Sequence, residues 1–165
     1  MNKTKLLVLG SLMACISALF QILPVFLSEA FIILTIFSAI PIYIITRLDP
    51  KIGLAAAIIS FLLIGTFSIH EALFFLFANG PIGFTLGWCC SFTSRKLLII
   101  SISSMILSCT LSFLNFIIAV PIFGTPLSGT LITQILIIFT FSIIYTFIYL
   151  YFCQLVFRKL NKFIA

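Results

Sequence analysis

The chain has 165 residues, 63% hydrophobic and 7% charged, with nine Lys/Arg against three Asp/Glu and a formal net charge of +6; its mean hydropathy is +1.40. A soluble domain carries about 25% charged residues and must cover itself with polar groups, so a water-soluble fold is excluded and lipid is the expected solvent for most of the chain. The basic residues fall in four short clusters between apolar runs, which is a topological pattern and argues against a nucleic-acid partner.

A membrane span needs about 20 residues, since ~1.5 Å per residue must cross ~30 Å of hydrocarbon. Turn signals cut the chain into six such pieces. Span 1 is predicted over about Lys5 to Leu23, ended by Pro24. Its basic start followed by an apolar run has the outline of a signal peptide, but Gln21 and Pro24 follow without a convincing cleavage site, so it reads as a span. Gly10, Ala14 and Ala18 recur every four residues, which puts three small residues on one helical face. That face can pack inside the same bundle or serve a partner helix.

Span 2 is predicted over about Glu29 to Thr46, ended by "RLDPK", and span 3 over about Ile52 to Phe67. Only "TFSIHE" separates it from span 4, about His70 to Cys90, which passes through "NGPIG". Pro81 removes a backbone donor and clashes with the preceding turn, so a kink or break is expected there. Backbone groups freed at that depth are tolerated only against protein or a cavity. Gly83 and Gly87 add a small-residue face beyond it.

Span 5 is predicted over about Lys96 to Val120, ended by Pro121. The following "VPIFGTPLSGT", Val120 to Thr130, is uncharged and long enough to fold over a pocket, although an ordinary connection is the commoner case. Span 6 is predicted over about Thr130 to Phe157.

With six spans, all nine basic residues fall on one side: Lys3 and Lys5, Arg47 and Lys51, Arg95 and Lys96, then Arg158, Lys159 and Lys162. The positive-inside rule makes that side cytoplasmic, with both termini inside the cell membrane. The expected fold is all-α, a single six-helix transmembrane domain over residues 1–165. Gln21, Glu29, His70, Glu71, Asn115 and Gln134 then lie at or near the outer ends of their spans, and Asn79 near the middle of span 4. Polar groups in lipid tend to face the protein interior or a cavity, so an outward-facing polar pocket is the simplest function. Its expected ligand contacts are Glu29, His70, Glu71, Asn79, Asn115 and Gln134. Taken singly, each of these can instead be a helix end satisfied by water at the headgroups. Two acids and no base on that side favour a cationic or polar neutral ligand.

Catalytic patterns are not seen. "HEALF" has Phe74 where a second zinc histidine would stand, and the only Asp is predicted on the opposite side from the only His. No phosphate loop or dinucleotide fingerprint appears. Cys15, Cys89, Cys90, Cys109 and Cys153 lie in apolar segments without a CxxC and read as packing residues. No metal or cofactor is expected.

Six spans, "GSLMACISA" in span 1, "DPKIGLAAAI" opening span 3 and "NGPIGFTLGW" in span 4 together resemble the substrate-binding S components of energy-coupling-factor (ECF) transporters. The resemblance covers most of the chain. It implies a non-enzymatic membrane binder of a small organic molecule such as a vitamin, with its ligand site near the outer face. It also implies partners: a transmembrane coupling subunit docking on the Gly10, Ala14, Ala18 stripe, and two ATPase subunits. No substrate signature of that family is present. Two other readings stay open. One is a non-transport scaffold similar to the rod-shape-determining D-type membrane protein. The other is a lipid-modifying enzyme with His70 and Glu71 as an acid/base pair.

Overall fold

The computed structural model describes residues 3–27, 31–120 and 129–164, with side chains in the last helix as far as residue 160. Glu29 and most of the 120–130 segment lie outside the described residues, so the expectations placed on them have no structural counterpart. The described chain is helical throughout: α1 (Lys3–Leu27), α2 (Ile33–Phe37), α3 (Ala39–Leu48), α4 (Pro50–Gly65), α5 (Ile69–Phe74), a π-turn (Phe75–Asn79), α6 (Gly80–Phe92), α7 (Lys96–Phe116) and α8 (Leu131–Ile164).

Four helical runs are long and apolar enough to cross a membrane: Lys3–Leu27, Ile69–Phe92, Lys96–Phe116 and Leu131–Leu160. Ile33–Leu48 and Pro50–Gly65 are apolar but shorter, about 24 Å each at 1.5 Å per residue.

The predicted boundaries move for identifiable reasons. α1 runs through Pro24 to Leu27, so Pro24 does not end the helix. α7 stops at Phe116, short of Pro121, and the chain leaves it through Ala119 at φ 58°. The kink or break expected at Pro81 takes the form of a widened turn within a continuous helix. The Gly80 N–H reaches back five residues to the Phe75 carbonyl, and this widened turn passes the helix into α6 with Pro81 in its first turn.

The interruption lies in predicted span 2. Pro41 has no N–H to close on Phe37 and its ring crowds that carbonyl. One residue on, at Ser38, the ladder stops, and the Ser38 N–H bonds the Thr35 carbonyl three residues back.

α3 is the centre of the bundle. Every residue from Ala39 to Thr46 is buried, as expected of a helix apolar on all sides. α1, α4, α6 and α8 surround it. Glycines allow the closest approaches: a Cβ on Gly83 would lie 2.5 Å from the Ala39 carbonyl oxygen, and one on Gly87 2.7 Å from the Tyr43 carbonyl oxygen. On the other flank, Gly53 of α4 lies against the Thr46 side chain and backbone.

The small-residue stripe of α1 is also used internally. Ala14 is fully buried and Ala18 nearly so. Ser60 of α4 donates to the Ala14 carbonyl at 3.1 Å, and a Cβ on Gly10 would lie 2.5 Å from Ile52. Within the expected docking face, Gly10 and Ala14 therefore pack against this chain's own α4, because small residues let those two helices close on each other, and Ala18 is buried.

Candidate functional site

Where α1, the α2–α3 interruption, α5 and the π-turn meet, polar side chains gather inside the bundle. Gln21 is the hub and is 1% exposed. Its Nε2 donates to Glu71 Oε2 at 2.7 Å. Its Oε1 accepts from Ser38 Oγ at 2.9 Å and from Asn79 Nδ2 at 2.8 Å. Asn79 closes the π-turn and is buried; its Nδ2 also donates to the Thr35 carbonyl at 3.0 Å.

The interruption explains why these groups converge. Around Ser38 three carbonyls accept side chains from three other parts of the fold. Asn79 reaches Thr35, Tyr149 of α8 donates to Ile36 at 2.6 Å, and Ser17 of α1 donates to Ser38 at 2.6 Å. Buried backbone groups need such partners where water is excluded. The Ser38 hydroxyl serves Thr35 as well as Gln21.

The neighbours His70 and Glu71 diverge, since adjacent residues on a helix do not share a face. Ser68 Oγ caps α5 by accepting the Glu71 N–H, and the half-buried Glu71 side chain turns to Gln21. His70 is exposed and packs edge-on against Phe74, ring centroids 4.9 Å apart. The two are not an acid/base pair in this geometry.

Of the expected ligand contacts, Glu71 and Asn79 come together, both through Gln21. His70 points away. Asn115 is half-buried in the last turn of α7, and Gln134 in α8 donates to the Gly129 carbonyl at 3.3 Å; neither enters the hydrogen bonds of the Gln21 cluster given above. Gln21, Ser17, Ser38 and Tyr149 were not anticipated as site residues. The usable signal was Pro41, which marks where backbone acceptors need partners.

What the arrangement offers is one carboxylate, two amides and a hydroxyl held within a low-dielectric surround. Among the described residues no group of three or more His, Cys, Asp or Glu could hold a metal ion. The basic residues gather elsewhere: Arg47, Lys96 and Arg158 line one cavity at the ends of α3, α7 and α8. Gly10 of α1 packs near that end, against Ile52 and Ile45. Gln21 lies eleven residues further along α1, about 16 Å away. No family model, curated protein or solved structure matches the chain.

Proposed function

We propose that this chain is a binding protein for a small cationic or polar neutral organic molecule, of the S-component kind. It would cross the cytoplasmic membrane six times with both termini inside. The observation that carries the reading is the buried cluster of Gln21, Asn79 and Glu71. Polar and ionisable groups within a membrane bundle are costly and mark functional sites by default, and a π-turn beside them is a feature frequent at such sites. In this reading a ligand N–H takes the place of Gln21 Nε2 on the Glu71 carboxylate, and the released Gln21 amide takes a second ligand group.

Import would require a membrane coupling subunit and two ATPases. Because α4 packs against Gly10 and Ala14, and Ala18 is buried, the coupling subunit would have to engage other residues of this fold.

The test is ligand binding by the full chain in detergent, scored by thermal shift across a panel of amine-bearing and neutral micronutrients, together with mass spectrometry of co-purified molecules. A ligand is expected whose binding weakens about 10–100-fold in Glu71→Gln, the loss for one charged hydrogen bond. If nothing co-purifies and the whole panel leaves the melting temperature unmoved, the reading fails.

A second reading, a non-transport scaffold of similar architecture, is favoured by one observation: the cluster already satisfies itself, with Asn79 Nδ2 serving two acceptors. Capture of a coupling subunit by the full chain would decide for the binder, and capture of cell-wall synthesis proteins alone would decide for the scaffold.

A further inference from the structure

The cavity at the basic end is separate from the Gln21 cluster. It has a volume of about 730 Å³, within the roughly 300–1,000 Å³ of small-molecule sites. Three cations from three helices line it: Arg47 from α3, Lys96 from α7 and Arg158 from α8, with Ser91 from the last turn of α6 and Ser94 from the connection between α6 and α7. Neither of the described acids, Asp49 and Glu71, is among its lining residues. Asp49, the acid nearest in sequence to Arg47, is committed to capping α4, where it accepts the Lys51 and Ile52 N–H groups.

The cations are braced from behind. Arg47 donates to the Tyr43 hydroxyl at 2.8 Å and lies over the Phe157 ring, 4.2 Å from its centroid. Lys96 Nζ lies 4.6 Å from the centre of the Tyr151 ring. These contacts restrict the side chains and leave other N–H groups of both for a ligand. α7 also begins here. Its N-cap, Arg95, makes no side-chain capping hydrogen bond, so the first-turn N–H groups at the positive end of the helix dipole are left to an anion or to water. At the rim, Phe92 is 74% exposed.

We propose that this cavity binds the phosphate of an anionic phospholipid. Arg47, Lys96 and Arg158 hold the headgroup, and the acyl chains run against Phe92. Three cations facing one space, with no carboxylate between them, select an anion. The exposed apolar rim selects an anion that carries hydrocarbon over free phosphate. The proposal rests on the membrane-spanning reading and is independent of any ligand at the Gln21 cluster.

The test uses the full-length protein in neutral detergent, with added phosphatidylglycerol, phosphatidylcholine or inorganic phosphate. Binding is read by native mass spectrometry and by the shift in melting temperature. Phosphatidylglycerol is expected to bind and stabilise, and the other two are not. Each single change, Arg47→Gln, Lys96→Gln or Arg158→Gln, is expected to weaken phosphatidylglycerol about fivefold, as for one basic residue at a charged membrane surface. Lys3→Gln/Lys5→Gln, outside the cavity, is expected to leave binding unchanged. Lys96 and Arg158 are exposed, so their variants keep the test readable if Arg47→Gln does not fold. Equal binding of phosphatidylcholine, or equal loss in the Lys3/Lys5 variant, would overturn the site. Equal stabilisation by inorganic phosphate would overturn the lipid assignment.

Discussion

Gln21 can organise its cluster because an amide both donates and accepts, so a single side chain joins a carboxylate to a hydroxyl and a second amide. Replacing it with Leu removes the donor to Glu71 and the acceptor for Asn79 together. Gln21→Leu is expected to cost about 1–3 kcal/mol through the groups it leaves unpaired, measured by thermal unfolding in detergent. A Gln21/Asn79 double-mutant cycle should show coupling of about 0.5–3 kcal/mol, as for residues in one network. Tyr149→Phe removes one hydrogen bond to the Ile36 carbonyl and is expected to cost about 0.6–1.7 kcal/mol, the range for side-chain bonds inside membranes. His70→Ala removes an exposed ring and should stay within about 0.5 kcal/mol. It should also keep full function, and a severe functional loss would revive the acid/base pairing with Glu71. At this scale the sequence was half legible. Rarity singled out His70 and Glu71 together, but the helical turn between neighbours sends only Glu71 inward. Ser17 and Ser38 carry no visible mark, since hydroxyls are ordinary in membrane helices and matter here only for the carbonyls they reach.

At the scale of elements, the crossing of α3 with α6 depends on missing side chains. A Cβ at Gly83 meets backbone, the Ala39 carbonyl oxygen, and backbone cannot swing aside as a side chain can. Gly83→Ala is therefore expected to destabilise by about 1–3 kcal/mol, the usual cost of overpacking. Gly65 ends α4 with only the Ala72 Cβ nearby, at 3.8 Å, so Gly65→Ala should be neutral or stabilise by up to about 1 kcal/mol through the unfolded chain. Comparing the two variants by their unfolding midpoints tests whether close approach, rather than glycine flexibility, is the reason for Gly83. Helix positions were readable from the apolar runs, whereas proline effects were not, because outcome depends on the turn before the ring. Pro24 is carried inside α1, Pro81 follows a π-turn that absorbs it, and Pro41 interrupts the ladder. The small-residue face of α1 was legible as a close-packing surface, but sequence spacing does not say which helix closes on it.

For the whole molecule, the six crossings proposed above make two loops diagnostic. Phe67, between α4 and α5, and Ser94, between α6 and α7, should label from opposite sides when each is changed to Cys in a chain with its five native cysteines replaced. Ser94 should be reached from the cytoplasm. Labelling of both from one side in intact cells and inverted vesicles would rule the six-span arrangement out. The short length of α4 and of Ile33–Leu48 is set against an α8 of 34 residues, about 51 Å long.

The bond from Tyr149 to the Ile36 carbonyl joins residues 113 apart in the chain. A ribosome adding about 5–20 residues per second needs roughly 6–23 s to make the donor after the acceptor has been made. During synthesis the middle of the second hydrophobic segment must wait, lacking this bond, until the final helix arrives. A chain released before α8 would leave that acceptor unmet, and quality-control proteases should clear it faster than the full-length product.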